Sequence, residues 1–187
     1  DVLKNLCETH GVEYVIAVPH NIVGPRQKYD DPFRNVMSIM LNRMLQGKQP
    51  IIYGDGKQQR CFSYIDDCLY CLNALAFQDN VVGEVINIGP DEEPITINEL
   101  AEACANETGL NLDPIHHKDR PKEVKLAVCS SDKARDLLGY STATNMRQSV
   151  KKTAEYIRTR GTKKFQYHLP LEIINDQTPD TWKNKLI

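Results

Sequence analysis

Apolar positions along the chain alternate between helical and strand-like stretches. Val2, Leu3, Leu6 and Cys7 share one helical face, with Asp1 at the N-cap position and His10-Gly11 as the stop. Tyr14-Val-Ile-Ala-Val18 is continuous and β-branched, the pattern of a strand buried on both faces. A loop from Pro19 to Arg26 leaves that strand. Asp30-Asp31-Pro32 opens a helix over 33–46, with Met37, Met40, Leu41, Met44 and Leu45 on its apolar side. Residues 51–53 and 61–65 read as two strands of a hairpin around Gly54-Asp55-Gly56-Lys57. Asp66-Asp67 caps a helix running to Phe77. Glu84-Val-Ile-Asn-Ile88 is a second short buried strand, followed by Gly89-Pro90. Thr96 and Glu99 form a capping box for a helix to Thr108. A strand near 112–116, a helix over 131–138 and an amphipathic helix over 145–160 follow. Residues 161–187 carry Pro170, Pro179 and the only tryptophan, Trp182, and read as an extended arm that packs on a neighbouring domain or subunit.

Strands alternating with helices make the fold class α/β, with 14–18 and 84–88 as parallel sheet members. In open α/β sheets, ligands bind beyond the carboxyl ends of the strands. The loops starting at Pro19 and Gly89 are therefore the first places to look.

Composition narrows the function classes. The 23 basic and 25 acidic residues give a net charge of −2, which argues against a nucleic-acid binder and its basic surplus. The 41% apolar content supports a core, and no apolar run is long enough for a membrane span. Six cysteines in 187 residues are too sparse for a disulfide scaffold, so reduced thiols in a cytoplasmic protein are the simpler reading.

Several residues could carry chemistry. Arg60 and Arg120 lie off any amphipathic helix, and planar guanidinium forks suit a diphosphate; taken singly, each is an ordinary surface residue. Tyr53 ends a strand where its ring can cover a base, or serve as a core aromatic. His20 and Asn21 follow a buried strand directly, though Asn21 also suits loop backbone. Cys68-x-x-Cys71 lacks a second pair and reads as core thiols. Tyr53-Gly-Asp-Gly-Lys57 has the letters of a Tyr-x-x-x-Lys pair, but that pair needs a helix to bring both side chains to one face.

Three stretches together resemble the extended short-chain dehydrogenase/reductase family, in the branch of the NAD-dependent nucleotide-sugar epimerases and dehydratases. They are Pro19-His-Asn-Ile-Val-Gly-Pro-Arg-Gln27, the segment from Pro50 to Asp67, and Glu84-Val-Ile-Asn-Ile-Gly89 with the helix from Thr96. The resemblance covers about 1–160. It implies a Rossmann-type fold, of which 1–30 and 80–94 would be sheet elements, 31–79 and 95–160 a substrate lobe, and 161–187 an arm.

The resemblance also implies roles. Pro19 and His20 would border the nicotinamide of NAD. Asn21 and Asn35 would contact the diphosphate of a nucleotide sugar, Ile51 and Tyr53 the base, and Arg60 and Arg120 the diphosphate from two sides. Glu123 stands where the family often has an Asp on the ribose, and Cys61 where many members have Asp. The family's Gly-x-x-Gly-x-x-Gly loop and helical Tyr-x-x-x-Lys would precede Asp1, so the chain resembles the C-terminal part of an enzyme and is expected to be inactive alone. The implied intact protein is a UDP-sugar 4-epimerase working by transient oxidation at sugar C4, cytoplasmic and homodimeric. A nucleotide-sugar 4,6-dehydratase or decarboxylase, or a non-catalytic nucleotide-sugar binding module, shares the same anchoring residues.

Overall fold

The structure, a computed structural model, describes residues 1–187. It is an α/β arrangement with two hydrophobic cores. The elements in chain order are α1 (Val2–His10), β1 (Ile16–Pro19), β2 (Ile22–Val23), α2 (Val36–Met44), β3 (Ile51–Tyr53), β4 (Gln59–Arg60), β5 (Ser63–Tyr64), α3 (Ile65–Phe77), β6 (Val85–Ile88), β7 (Ile95–Thr96), α4 (Ile97–Thr108), β8 (Ile115–His117), β9 (Leu126–Ala127), α5 (Asp132–Leu138), α6 (Met146–Arg160) and α7 (Asp180–Lys183).

The larger core is a three-helix stack. Met37, Met40, Leu41 and Met44 of α2 meet Leu100, Ala101 and Cys104 of α4 and Val150, Ala154 and Ile157 of α6. These positions recur at helical spacing; α4 and α6 each bury one stripe, whereas α2 is buried on nearly every side, Ser38, Asn42 and Arg43 included. Both α4 and α6 start on capping boxes, Thr96 with Glu99 and Asn145 with Gln148. Val23, Ile52 and Phe62 cover the end of this core that faces the loops.

The second core lies on the two-stranded parallel sheet of β1 and β6. Ile86 and Ile88 pack against Cys68, Cys71 and Leu75 of α3 and Ala134 and Leu138 of α5. So α3 and α5 go with the sheet, and the boundary between cores does not follow a division at residues 79 and 95. Burial on both faces is not what β1 shows. Ala17 and Ile86 are paired on the covered side, whereas Val18 and Val85, of the opposite parity, are exposed. The sheet has only two strands, and its other side is covered in part, with Ile16 and Asn87 half-buried beside the exposed Val18 and Val85. The same holds for α1, where Cys7 is buried but Val2 is 75% exposed and Leu3 and Leu6 are open to solvent.

The hairpin expected at 51–65 does not form. β3 pairs in parallel with β8, β5 in parallel with β2, and β4 with β7 and β9. The backbone groups that a hairpin would join are taken by other partners. Gly54 N donates to His117 O, and Asn98 N donates to Gly56 O. Gly54 and Gly56 both have positive φ, and a Cβ on either would collide with Asp119 or Asn98. The glycines thus serve a crossover between sheets, held by α4, rather than a self-closing turn.

Two helix starts also differ. Asn35, not Asp30-Asp31, caps α2: its side chain accepts from Met37 N at 3.0 Å. Asp31 is buried in the preceding loop, where it accepts from Phe33 N and Arg34 Nε. Asp66 and Asp67 lie inside the first turn of α3, and Asp67 accepts from Thr144 N at 3.1 Å instead of capping. The strand expected near 112–116 is shorter and later, at β8.

The arm 161–187 lies on residues 29–46 of its own chain. Asn42, fully buried on α2, donates to Lys163 O at 2.9 Å and accepts from Lys163 N at 3.1 Å. Tyr29 donates to Gly161 O, and Gln166 N donates to Asp30 O. Phe33 then packs edge-on against Tyr167 and Trp182.

Candidate functional site

A cavity of about 260 Å³ opens between the entry of α2, the strand ends of β3 and β4, and the 118–123 loop. Asn21, Asn35, Ile51, Tyr53, Arg60, Arg120 and Glu123 all line it. They come from seven positions spread over more than a hundred residues, brought together by the three small sheets. Asn21 reaches the site because it has φ 40, a left-handed conformation that Asn tolerates, and its Nδ2 donates to Cys61 O at 2.9 Å. Asn35 reaches it from the N-cap of α2.

Pro19 and His20 lie outside the cavity lining. Pro19 is exposed at the carboxyl end of β1, and His20 is half-buried just beyond. His20 Nε2 is 3.2 Å from both Ala127 O and Asn21 Nδ2. One nitrogen cannot donate to the carbonyl and accept from the amide at once. The Ala127 carbonyl can only accept, so its contact makes Nε2 the protonated nitrogen, and Asn21 Nδ2 donates to Cys61 O. Burial lowers the His20 pKa against the opposing pull of the Ala127 carbonyl, and Arg60 lowers it further.

The charge balance of the cavity is positive. Arg60 Nη2 pairs with Glu123 Oε1 at 2.5 Å, both side chains being only 16–17% exposed. Arg120 has no carboxylate partner. Its guanidinium sits 4.3 Å over the Tyr53 ring and 5.5 Å from the Trp182 ring. Burial raises the Tyr53 phenol pKa, and Arg120 opposes that shift. Arg34 adds a third cation, paired with Asp31 at 3.1 Å. Such a cavity suits an anion with a flat apolar neighbour: forks for oxygen atoms, Ile51 and Phe62 for a ring.

Sequence reasoning missed Arg34, Gln58, Phe62 and Ile187, which also line the cavity. Arg34 adjoins Asn35 at the helix entry and was findable from that neighbour. Phe62 follows Arg60 by two along an extended segment, the same-side spacing of a strand. Ile187 carried no signal, because the arm has no periodicity.

The other candidate chemistry is structural. Cys68 and Cys71 are buried in the second core, where burial raises their pKa to about 12 and about 11. His116 Nδ1 lies 2.8 Å from Gly54 O and holds the glycine crossover. Tyr53 and Lys57 sit on strand and turn, not on one helix face. No helix is long and apolar enough to cross a membrane.

Comparison with known proteins agrees with this architecture. Residues 1–89 match the model of the NAD dependent epimerase/dehydratase family. A UDP-N-acetyl-alpha-D-glucosaminuronate decarboxylase of Bacillus cytotoxicus is 31% identical over 154 residues, covering 79% of this chain and 47% of that protein. The UDP-glucose 4-epimerase of Thermotoga maritima, solved with UDP-glucose, superposes with a TM-score of 0.78 at 28% identity, covering 85% of this chain and 50% of that one. The UDP-glucuronic acid 4-epimerase of Bacillus cereus, solved with UDP-glucuronic acid and NAD, gives 0.77 at 29% identity, covering 86% and 50%. The chain spans about half the length of the relatives it matches. The family match over residues 1–89, these relatives and this fold all point the same way: the chain is similar to the NAD dependent epimerase/dehydratase family.

Proposed function

We propose that this chain is the nucleotide-sugar-holding part of an NAD-dependent UDP-sugar 4-epimerase. The observation that carries the reading is the convergence of seven anchoring residues on one cavity with an unpaired arginine. Arg60 and Arg120 grip the diphosphate from two sides, and Asn21 and Asn35 contact it. Ile51 and Tyr53 hold the base. A diphosphate competes with Glu123 for Arg60, and a released Glu123 carboxylate accepts from the ribose hydroxyls. Anchoring far from the reacting carbon supplies positioning and leaves the sugar free to turn.

When bound, NAD would supply the hydride acceptor and donor for transient oxidation at sugar C4. What these residues offer NAD is a border: Pro19 is exposed at the carboxyl end of a parallel strand, and the half-buried His20, whose pKa burial lowers, stands beside it. The 187 residues contain neither a Gly-x-x-Gly-x-x-Gly loop nor a helical Tyr-x-x-x-Lys. The chain alone is therefore expected to leave UDP-glucose unchanged when incubated with NAD. In the intact protein, the exposed apolar faces of α1 and β1 support contact with further protein, and a homodimer in the cytoplasm is our reading.

Calorimetry with UDP tests the anchoring role. The chain should bind UDP saturably, and Arg60→Ala should weaken binding by at least about tenfold, the loss of a charge-assisted pair. No binding by the wild-type chain would overturn the reading. A decarboxylase is the second reading, favoured by the Bacillus cytotoxicus relative. Carbon dioxide release from a UDP-uronic acid by the intact protein would select it over epimerisation.

A further inference from the structure

Two buried side-chain polar atoms in the molecule have no hydrogen-bond partner, and they belong to one stack: Arg120 Nε and Trp182 Nε1. Leaving such donors unsatisfied is costly; Arg120 lines the cavity, where a ligand with acceptor atoms would satisfy its guanidinium, and Trp182 stands behind it. Trp182 lies in the arm, beyond the region that resembles the family. The arm is seated there by several independent ties. Thr181, fully buried, hydrogen-bonds the Tyr53 hydroxyl. Trp182 packs 5.3 Å from the Phe33 ring. Leu186 N donates to Thr181 O, Ile187 N donates to the Tyr167 hydroxyl at 3.0 Å, and Ile187 lines the cavity itself.

We infer that Trp182 is a positioning residue for the nucleotide diphosphate, acting through Arg120. The inference rests on the proposed UDP-sugar reading. Tyr53 and Trp182 both hold the guanidinium by cation–π attraction, without a carboxylate that would have to be displaced. Arg120 is thus held in place for phosphate oxygens. Arg60 differs: its ion pair with Glu123 must first be exchanged. The arm makes one of the two clamps ready before the ligand arrives, and the uncharged nucleoside gains nothing from it.

Trp182 is the only tryptophan, so its emission reports this stack alone. UDP added to the wild-type chain should shift that emission with the same midpoint as the calorimetric titration, and uridine should shift it little. Trp182→Ala should weaken UDP about tenfold and leave uridine affinity unchanged. Trp182→Phe, which keeps an aromatic face, should stay within about threefold of wild type. Thermal melting checks that the variants fold. Should Trp182→Ala not fold, Thr181→Val keeps the tryptophan and should reduce both the emission shift and UDP affinity. UDP binding with silent emission, an unchanged affinity in Trp182→Ala, or an equal loss of UDP and uridine would overturn the inference while sparing the UDP reading. Absence of UDP binding by the wild-type chain would overturn both.

Discussion

Arg60 and Glu123, 63 residues apart, form the closest charge pair lining the cavity, with Arg60 Nη2 donating to Glu123 Oε1 at 2.5 Å. Each is the other's counter-ion in a site where both are about five-sixths buried. Removing one leaves a desolvated charge behind. Arg60→Ala should therefore destabilise the chain by about 1–3 kcal/mol. The double variant Arg60→Ala/Glu123→Ala should recover part of that loss. Denaturant unfolding of the four proteins in the cycle measures the coupling, and strictly additive losses would contradict it.

Gly56 has φ 71, and the space where a Cβ would go is filled by the Asn98 side chain. Asn98 also donates to Asp55 O at 2.9 Å, so it cannot retreat without losing that bond. Gly56→Ala should cost about 2 kcal/mol from backbone strain and displaced packing. Gly47, with a similar φ 73 but open space around it, should lose only about 1 kcal/mol as Gly47→Ala. Comparing the two unfolding midpoints separates conformation from contact.

Thiol reactivity should be low. Burial raises the pKa of Cys61 to about 11 and of Cys68 to about 12, and the fully buried Cys104 is pushed up as well. The nucleophile is the thiolate, which is scarce at pH 7.5. A chromogenic disulfide reagent should react with these three only as fast as the chain unfolds, and with all six cysteines promptly in denaturant. Rapid native labelling of Cys68 would contradict its place in the second core.

Asp91 ties the loop after β6 to α5, accepting from Ser131 N at 2.8 Å and pairing with Arg135. The Arg135 guanidinium holds the Asp91 carboxyl down at about 2. A folded pKa below the unfolded one stabilises above the unfolded value and loses that stabilisation as pH falls through the folded one. Asp91→Asn should thus lower the melting temperature by about 2–4 °C at pH 7. The gap between variant and wild type should close between about pH 4 and pH 2. A gap independent of pH would assign the effect to packing.

Much of this architecture is legible in the sequence. The helices α4 and α6 were readable to within a residue because their caps are local chemistry, Thr96 with Glu99 and the chain entering at Asn145. The parallel pairing of 14–18 with 84–88 was readable as two buried-looking runs, but the exposure of Val18 and Val85 was not, because a run of apolar letters does not say what covers each face. The hairpin misled because Gly-Asp-Gly specifies positive φ, and positive φ serves a crossover as well as a turn. Motif letters located the cavity residues, yet no local signal linked Trp182 to Arg120 across the intervening chain. That link is made by Asn42 holding Lys163, and by Thr181 holding Tyr53.

The most direct measurement of the central claim is a crystal structure of the chain with UDP. The account predicts the diphosphate oxygens within hydrogen-bond distance of both Arg60 and Arg120, the uracil against Ile51 and Tyr53, and the Arg60–Glu123 pair opened. UDP bound at another surface, or in this cavity with Arg60 still paired to Glu123 and neither arginine touching a phosphate, would contradict it.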